Sequence, residues 1–227
     1  MELNADFTRR AVVHAGSTPW VPSPVAGVER RMLDRLGDEV ARATSLVRYA
    51  PGSAFPAHTH GGGEEFFVLQ GTFRDEEHGD YPEGTYCRNP PTSRHTPSSP
   101  LGCIIFVKLW QMSPDDRTQV IVRAPAAPAA PAASARVLFA DAHEEVSVRT
   151  LAPREAVALD GPRGIEVLVL RGSIVEGAGG EALSEWGWLR LPDGARLEAA
   201  AGDAGAEVLV KLGRSTAALA APPAPAR

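Results

Sequence analysis

Residues 124–135 carry proline at every third position among alanines, and they divide the sequence into two parts. Such a run favours an extended polyproline conformation and therefore predicts a linker between two modules. The two parts repeat each other, since residues 166–172 resemble 65–71 and residues 206–212 resemble 103–109. A period of roughly one hundred residues predicts one structural module per copy.

Short runs of Val, Ile, Leu and Phe are separated by glycine and proline, of which the chain has 22 and 20. This pattern predicts many short strands and turns, and hence an all-β fold. One segment is ambiguous, because apolar residues over 28–40 recur at helical spacing. Gly37-Asp38, however, interrupts that spacing in the manner of a hairpin turn.

Composition excludes several classes of function. The 227 residues suffice for one large domain or two small ones, and the net charge of −5 disfavours a nucleic-acid surface. No apolar run approaches the roughly 20 residues of a membrane span, and the N-terminus lacks the pattern of a signal peptide. Two cysteines are too few for a disulfide framework. We therefore expect a cytoplasmic protein without a nucleic-acid or membrane partner.

A cluster of metal-ligand residue types follows the first glycine-containing turn. His58 and His60 stand two residues apart, so on a strand both imidazoles point to the same face. Glycines 61–63 allow the backbone to turn sharply and bring Glu64 to the same point, and His95 supplies a fourth donor. Imidazole and carboxylate together suit zinc, iron, manganese or nickel rather than calcium. The spacing predicts one divalent metal site.

This arrangement resembles the first cupin motif, in which glycine, His-x-His, glutamate and a second glycine stand at fixed spacing. The residues on that spacing are Gly52, His58, His60, Glu64 and Gly71. The second cupin motif is partly matched: Pro90 and His95 are present, whereas Thr92 replaces its glycine and Ser99 its asparagine. The resemblance implies two tandem cupin barrels of the RmlC-like jelly-roll type, joined by the Ala/Pro linker.

More narrowly, four segments resemble the ChrR-type cupins: 44–52, 58–71, 79–82 and 106–110. This resemblance implies a strand pair over the ambiguous residues 28–42. We place a metal-binding barrel with an N-terminal arm at 1–122, the linker at 123–136, a second barrel at 137–217 and a disordered tail at 218–227.

The second barrel is predicted to be metal-free. In the register of the repeat, the four candidate ligands become Leu159, Gly161, Ile165 and Leu197. None of these side chains can hold a divalent ion, so the second barrel should have a structural role.

Residues around the site follow from strand alternation. Phe66 and Val68 share the face of Glu64 and are predicted to form a dry wall of the pocket, whereas Glu65 faces the other side. Arg48, Tyr86 and Lys108 are further candidates to contact the ligands or a substrate. Cys87 is interpreted as a buried, inert thiol.

The ChrR resemblance implies a regulatory or stress-sensing role, like that of the cupin half of a zinc-dependent anti-sigma factor. In that family a zinc-binding helical domain precedes the cupin. The first 40 residues of this sequence contain one histidine, His14, and no cysteine, which are too few zinc ligands for such a domain. Direct binding of a sigma factor is therefore not expected. Four protein ligands would complete a tetrahedral zinc shell, as in structural or sensory sites.

The alternative function is that of a dioxygenase, because the ChrR-type cupins are similar to small enzymes acting on diketones and hydroxyacetophenones. The same four ligands on iron, manganese or nickel leave two open positions of an octahedron. Three neutral imidazoles and one carboxylate leave a net charge of about +1, which matches a small anionic, chelating ligand such as an enolate. Cupin barrels commonly pair through edge strands, so a homodimer is expected.

Overall fold

The computed structural model describes residues 1–38, 40–124, 134–177 and 180–213, and every regular element in these ranges is a β-strand. The predicted all-β class is confirmed. No helix in the described ranges is long and apolar enough to cross a membrane. Most of the predicted linker, residues 125–133, and the predicted tail at 218–227 lie outside the described residues.

The strands are numbered in chain order: β1 (Glu2–Leu3), β2 (Ala11–His14), β3 (Val21–Pro22), β4 (Val28–Gly37), β5 (Ala41–Tyr49), β6 (Ser53–Ala54), β7 (His58–Thr59), β8 (Glu64–Asp75), β9 (Gly79–Pro82), β10 (Tyr86–Asn89), β11 (Arg94–His95), β12 (Pro97–Ser99), β13 (Cys103–Leu109), β14 (Val120–Val122), β15 (Ser134–Ala140), β16 (Glu144–Leu151), β17 (Ala156–Gly161), β18 (Ile165–Glu176), β19 (Ala182–Ser184), β20 (Gly187–Leu191) and β21 (Ala195–Gly213).

The chain forms two compact units. Within the described ranges, the first holds Met1–Ala5 and residues 19–124, and the second holds Asp6–Thr18 with the residues from 134 onward. The predicted boundaries assigned the whole N-terminal arm to the front barrel, and the structure differs there because β2 pairs with β20. The other predicted boundaries stay predictions.

The main sheet of the first unit has the strand order β1-β4-β5-β13-β8-β10-β14, and β7 pairs with β11 in a separate ribbon. The ambiguous segment lies in the antiparallel pair β4–β5, and β4 ends at Gly37, where the sequence indicated an interruption. On β13, Cys103, Ile105 and Val107 alternate into the interior core. The buried residues of this core are Val28, Val47, Tyr49, Phe66, Val68, Phe73, Tyr81, Cys87, Cys103, Ile105 and Val107.

The second unit repeats this order as β15-β16-β21-β18-β20-β2. Strand β2 therefore occupies beside β20 the place that β14 occupies beside β10. The predicted register of the repeat is confirmed, because Leu159 lies opposite Leu197 just as His58 lies opposite His95. The tandem arrangement expected from the sequence is thus present in the strand order of both units.

Candidate metal centre

Short strands bring the four predicted ligands together. His58 and His95 face each other across the β7–β11 ribbon, His60 follows β7 directly, and Glu64 begins β8. One donor atom from each of the four side chains lies within 4.8 Å of the others. All four predicted ligands are therefore part of one cluster.

The glycine loop before Glu64 agrees with the prediction only in part, because only one of its glycines makes the sharp turn. Only Gly63 of the three glycines adopts a left-handed backbone, with φ of +79°. Gly61 and Gly62 lie against Trp110, and a Cβ on Gly62 would come within 2.4 Å of the indole ring. The loop is held by the Trp110 backbone N–H, which donates to the Gly63 carbonyl at 3.1 Å.

The donor atoms have the separations that a metal ion requires. His60 Nε2 lies 3.2 Å from His95 Nε2, and Glu64 Oε2 lies 3.4 Å and 3.6 Å from these two nitrogens. An ion about 2.1 Å from each donor separates neighbouring donors by roughly 3.0 Å in an octahedron and 3.4 Å in a tetrahedron. His60, Glu64 and His95 are buried, whereas His58 is half-buried. The cluster is therefore open to solvent on the His58 side.

Hydrogen bonds on Nδ1 fix which nitrogen of each ring faces the cluster. His58 Nδ1 lies 2.9 Å from the Pro56 carbonyl oxygen, which can only accept. The Nδ1 atom therefore carries the proton, and Nε2 keeps its lone pair for a metal ion.

The same holds for His60, although its partner is a hydroxyl. Ser93 Oγ donates its single proton to the Pro90 carbonyl at 2.6 Å. Towards His60 Nδ1, 3.0 Å away, that oxygen can therefore only accept. His60 is then protonated on Nδ1 and presents Nε2 to the cluster.

Two further residues contact the ligands and were not identified from the sequence. Asp75, at the end of β8, places Oδ2 3.3 Å from His95 Nδ1, and both side chains are buried. Asn89, which pairs with Glu64 across β10 and β8, donates from Nδ2 to Glu64 Oε2 at 3.1 Å. For Asn89 the available signal was its place directly before Pro90 of the second motif. Asp75 was predicted only as the end of a strand that leads into a polar turn.

Burial keeps the imidazoles in the form that binds metal. It lowers the pKa of His60 from 6.5 to about 4, and the neighbouring His58 ring acts in the same direction. Burial also lowers the pKa of His95, against the opposing effect of the Glu64 carboxylate. Both rings are therefore neutral at pH 7, as ligation requires.

The predicted wall residues lie in the interior. Phe66 and Val68 belong to the core of the first unit. The Phe66 ring packs 4.9 Å from that of Phe73, which in turn lies 6.0 Å from the His95 ring. The interior beside the ligands is therefore aromatic and apolar.

The three polar candidates have contacts elsewhere. Tyr86 donates to Glu65 Oε1 at 3.0 Å, and Lys108 lies opposite Glu65 in the sheet, on the face away from Glu64. Arg48 donates from Nε to Glu29 Oε2 at 2.9 Å. The structure does not bring these side chains to the metal-ligand cluster.

The contact of Tyr86 recurs in the second unit. There Trp188 Nε1 donates to Glu166 Oε1 at 2.7 Å, and Lys211 lies opposite Glu166 in the sheet. An aromatic donor on this glutamate is therefore a feature of the repeat rather than of the metal-ligand cluster.

The equivalent interior of the second unit is apolar. Leu159, Ile165 and Leu197 all belong to its buried core, and Gly161 has no side chain to offer. Among the described residues, the cluster in the first unit is the group of His, Cys, Asp or Glu side chains with the geometry to hold a metal ion.

Two tandem jelly-roll units, one of them carrying the His-x-His, glutamate and histidine cluster, define the bicupin class. Residues 8–113 match the model of the ChrR Cupin-like domain family. No curated protein sequence matches the chain.

Solved structures share the fold at low identity. The bacterial pirin YhhW from Escherichia coli in complex with nickel(II) is 14% identical, with a TM-score of 0.69 over 90% of this chain and 99% of that chain. An oxalate decarboxylase variant from Bacillus subtilis is 13% identical, with a TM-score of 0.57 over 89% and 77%. A cupin 2 conserved barrel domain protein from Leptotrichia buccalis is 12% identical, with a TM-score of 0.57 over 85% and 92%. These similarities establish the cupin fold.

Proposed function

We propose that this protein binds one divalent metal ion through His58, His60, Glu64 and His95, and that the metal-bound cupin has a regulatory, stress-sensing role. The observation that carries the metal site is the common orientation of the imidazoles. Acceptors hold Nδ1 of His58 and His60, and the Nε2 atoms of His60 and His95 lie 3.2 Å apart beside Glu64. Two Nε2 atoms this close, with the Glu64 carboxylate 3.4 Å and 3.6 Å away, can be ligands of one divalent cation.

Zinc and iron are the ions that we expect first, with manganese and nickel as further candidates, since imidazole and carboxylate suit all four. The nickel-bound pirin is an example of a metal in the same fold. A bound divalent ion would supply a Lewis acid and a template for a chelating ligand. The chain's own residues would hold the ion, and the apolar interior around Phe73 would exclude water on one side.

The regulatory role is supported by the match to the ChrR Cupin-like family over residues 8–113. Direct binding of a sigma factor is not part of this proposal.

A dioxygenase that cleaves a small β-diketone or hydroxyketone is the second candidate. The observation that favours it is the aromatic interior next to His95, where Phe73 and Phe66 provide a dry surface for the apolar part of a chelating enolate. The net charge of about +1 on three imidazoles, one carboxylate and a divalent ion would match that anion.

Metal analysis followed by oxygen-uptake measurements separates the two roles. The protein is expressed without added metal, its metal content is determined, and its iron form is incubated with acetylacetone-like compounds. Bound zinc and no oxygen uptake would support the regulatory role. Iron together with substrate-dependent oxygen uptake, lost in the His58→Ala/His60→Ala variant, would overturn it in favour of the dioxygenase.

A further inference from the structure

We propose that Asp75 is a positioning residue for His95, and that a chain of hydrogen bonds through His78, Gln119 and Asn89 joins Asp75 to the opposite ligand, Glu64. This inference rests on the proposed metal site and concerns how its ligands are oriented. Asp75 is 2% exposed and lies behind His95 as seen from the cluster. It contacts the ring nitrogen that does not face the metal-ligand cluster.

The first half of the chain starts at His95. Its Nδ1 atom is buried, and Asp75 Oδ2 is the acceptor facing it at 3.3 Å, in an ion-pair approach rather than an aligned hydrogen bond. The same carboxylate oxygen lies 3.4 Å from Nδ1 of His78, a ring that is one-third exposed. Asp75 thus stands between a buried ligand histidine and a histidine at the surface.

The second half starts at Glu64 and returns to the same surface histidine. Asn89 donates from Nδ2 to Glu64 Oε2. Its side-chain oxygen Oδ1 accepts from Gln119 Nε2 at 3.5 Å. Gln119 Nε2 also lies 3.3 Å from Nε2 of His78. The hydrogen bonds therefore run from Asp75, which faces the ligand His95, to the ligand Glu64.

The donors and acceptors of this chain agree at each step. An amide nitrogen can only donate, so His78 Nε2 accepts from Gln119 and His78 Nδ1 carries the proton towards Asp75. Asp75 can then accept from His78 and His95 together, which leaves Nε2 of His95 unprotonated and free for a metal ion. Partners of this type on metal-bound histidines fix the tautomer and raise ligand basicity.

The second unit has a buried carboxylate at the position equivalent to Asp75, although it has no metal-ligand side chains nearby among the described residues. Glu176 is the twelfth residue of β18, as Asp75 is of β8, and it is also buried. Its partner is a cation, since Arg10 Nε donates to Glu176 Oε2 at 3.0 Å. A buried carboxylate thus recurs in both units, and it faces imidazoles only in the unit that carries the ligands.

Asp75→Asn is the informative change. Asp75 Oδ1 accepts the backbone N–H of Glu77 at 2.7 Å, so the asparagine oxygen would keep that bond and turn its NH₂ group towards His95 Nδ1. Two donors would then face each other, which favours the tautomer of His95 with the proton on Nε2. That tautomer has no lone pair on Nε2, the atom that faces the cluster, with which to bind a metal ion.

The test measures tautomer and affinity separately. In ¹⁵N-histidine NMR spectra of the metal-free full chain at pH 8, His95 should be protonated on Nδ1 in the wild type and shift towards Nε2 protonation in Asp75→Asn. In a chelator competition with zinc, Asp75→Asn should bind about 10- to 100-fold more weakly. The matched control Glu176→Gln, at the equivalent position of the second unit, should leave zinc affinity unchanged.

An Asp75→Asn protein with the wild-type tautomer and affinity would overturn the positioning role while leaving the metal site intact. Failure of the wild type to bind zinc would instead overturn the proposed function, and the tautomer measurement would still decide the role of Asp75. If Asp75→Asn does not fold, His78→Ala at the surface takes its place. It should weaken zinc binding several-fold and shift the tautomer partially, and an unchanged spectrum and affinity would contradict the proposal.

Discussion

Thr92 and Gly194 occupy the same position in the two repeats, and each has a φ of +76°. Each also donates its backbone N–H to the equivalent partner, the carbonyl of His60 at 2.9 Å and that of Gly161 at 2.8 Å. The second unit has the glycine and lacks the metal-ligand side chains, whereas the first unit has these side chains and a threonine in place of the glycine. The turn behind His60 therefore holds a β-branched residue in a left-handed conformation, which is costly.

Thr92→Gly should stabilise the first unit. A left-handed backbone costs a non-glycine residue roughly 1–2 kcal/mol, and glycine recovers this at an entropic cost of roughly 0.5–1 kcal/mol. We expect a net gain of about 0.5–1 kcal/mol in the free energy of unfolding, measured by denaturant titration. Gly194→Thr is the mirror control and should destabilise the protein. A Thr92→Gly variant less stable than the wild type would contradict the assigned turn.

The metal-free protein should lose stability as the pH falls from 6.5 towards 4. The pKa of His60 is about 4 in the folded state against 6.5 unfolded, so between these values the unfolded state binds more protons. This pKa difference contributes at most about 3 kcal/mol to the free energy of unfolding. The contribution is fully present above pH 6.5 and is lost as the pH falls towards 4. Denaturant titrations at pH 7.0, 5.5 and 4.5 measure it. His60→Asn should flatten this dependence, and an equally steep loss in that variant would assign the effect to other groups.

Arg10→Ala should destabilise the second unit, because it leaves the buried Glu176 carboxylate without its cation. Glu176 has a side chain only 4% exposed, and its bond to Arg10 ties the segment containing β2 to this unit. Removing one member of such a pair costs about 2–4 kcal/mol. Arg154→Ala breaks the exposed Arg154–Asp203 pair and should cost less than about 1 kcal/mol. Equal losses in both variants would show that Arg10 does not anchor the strand.

Both cysteines should be unreactive in the folded protein. Cys87 and Cys103 are buried. Burial raises the pKa of Cys103 to about 11, and burial next to Glu64 raises the pKa of Cys87 well above its ordinary value. Since the thiolate is the reactive form, a thiol reagent at pH 7.5 should label neither residue until the chain is unfolded, when both should react. Rapid labelling of the native protein would contradict this environment.

The ligand set could be predicted from the sequence because its signal is local. The spacing of His58, His60 and Glu64 depends on strand alternation and one glycine loop, both of which can be read within a few residues. The apolar residues at the equivalent positions of the second unit followed from the register of the repeat, which the pairing of Leu159 with Leu197 confirms.

The partners of the ligands depend on strand register, which the sequence does not display. Asn89 reaches Glu64 only because β10 pairs with β8 in that register. Lys108 is directed away from the ligands for the same reason, since it lies opposite Glu65 rather than Glu64. The placement of β2 beside β20 is likewise a long-range pairing between residues far apart in the chain.

The most direct test of the central claim is the metal content of the purified protein after equilibration with zinc and removal of unbound ions. The wild type should contain about one ion per chain. The control His143→Ala, which removes an exposed histidine of the second unit, should contain the same amount. The His58→Ala/His60→Ala variant should contain almost none. A double variant that retains one ion per chain would contradict the account.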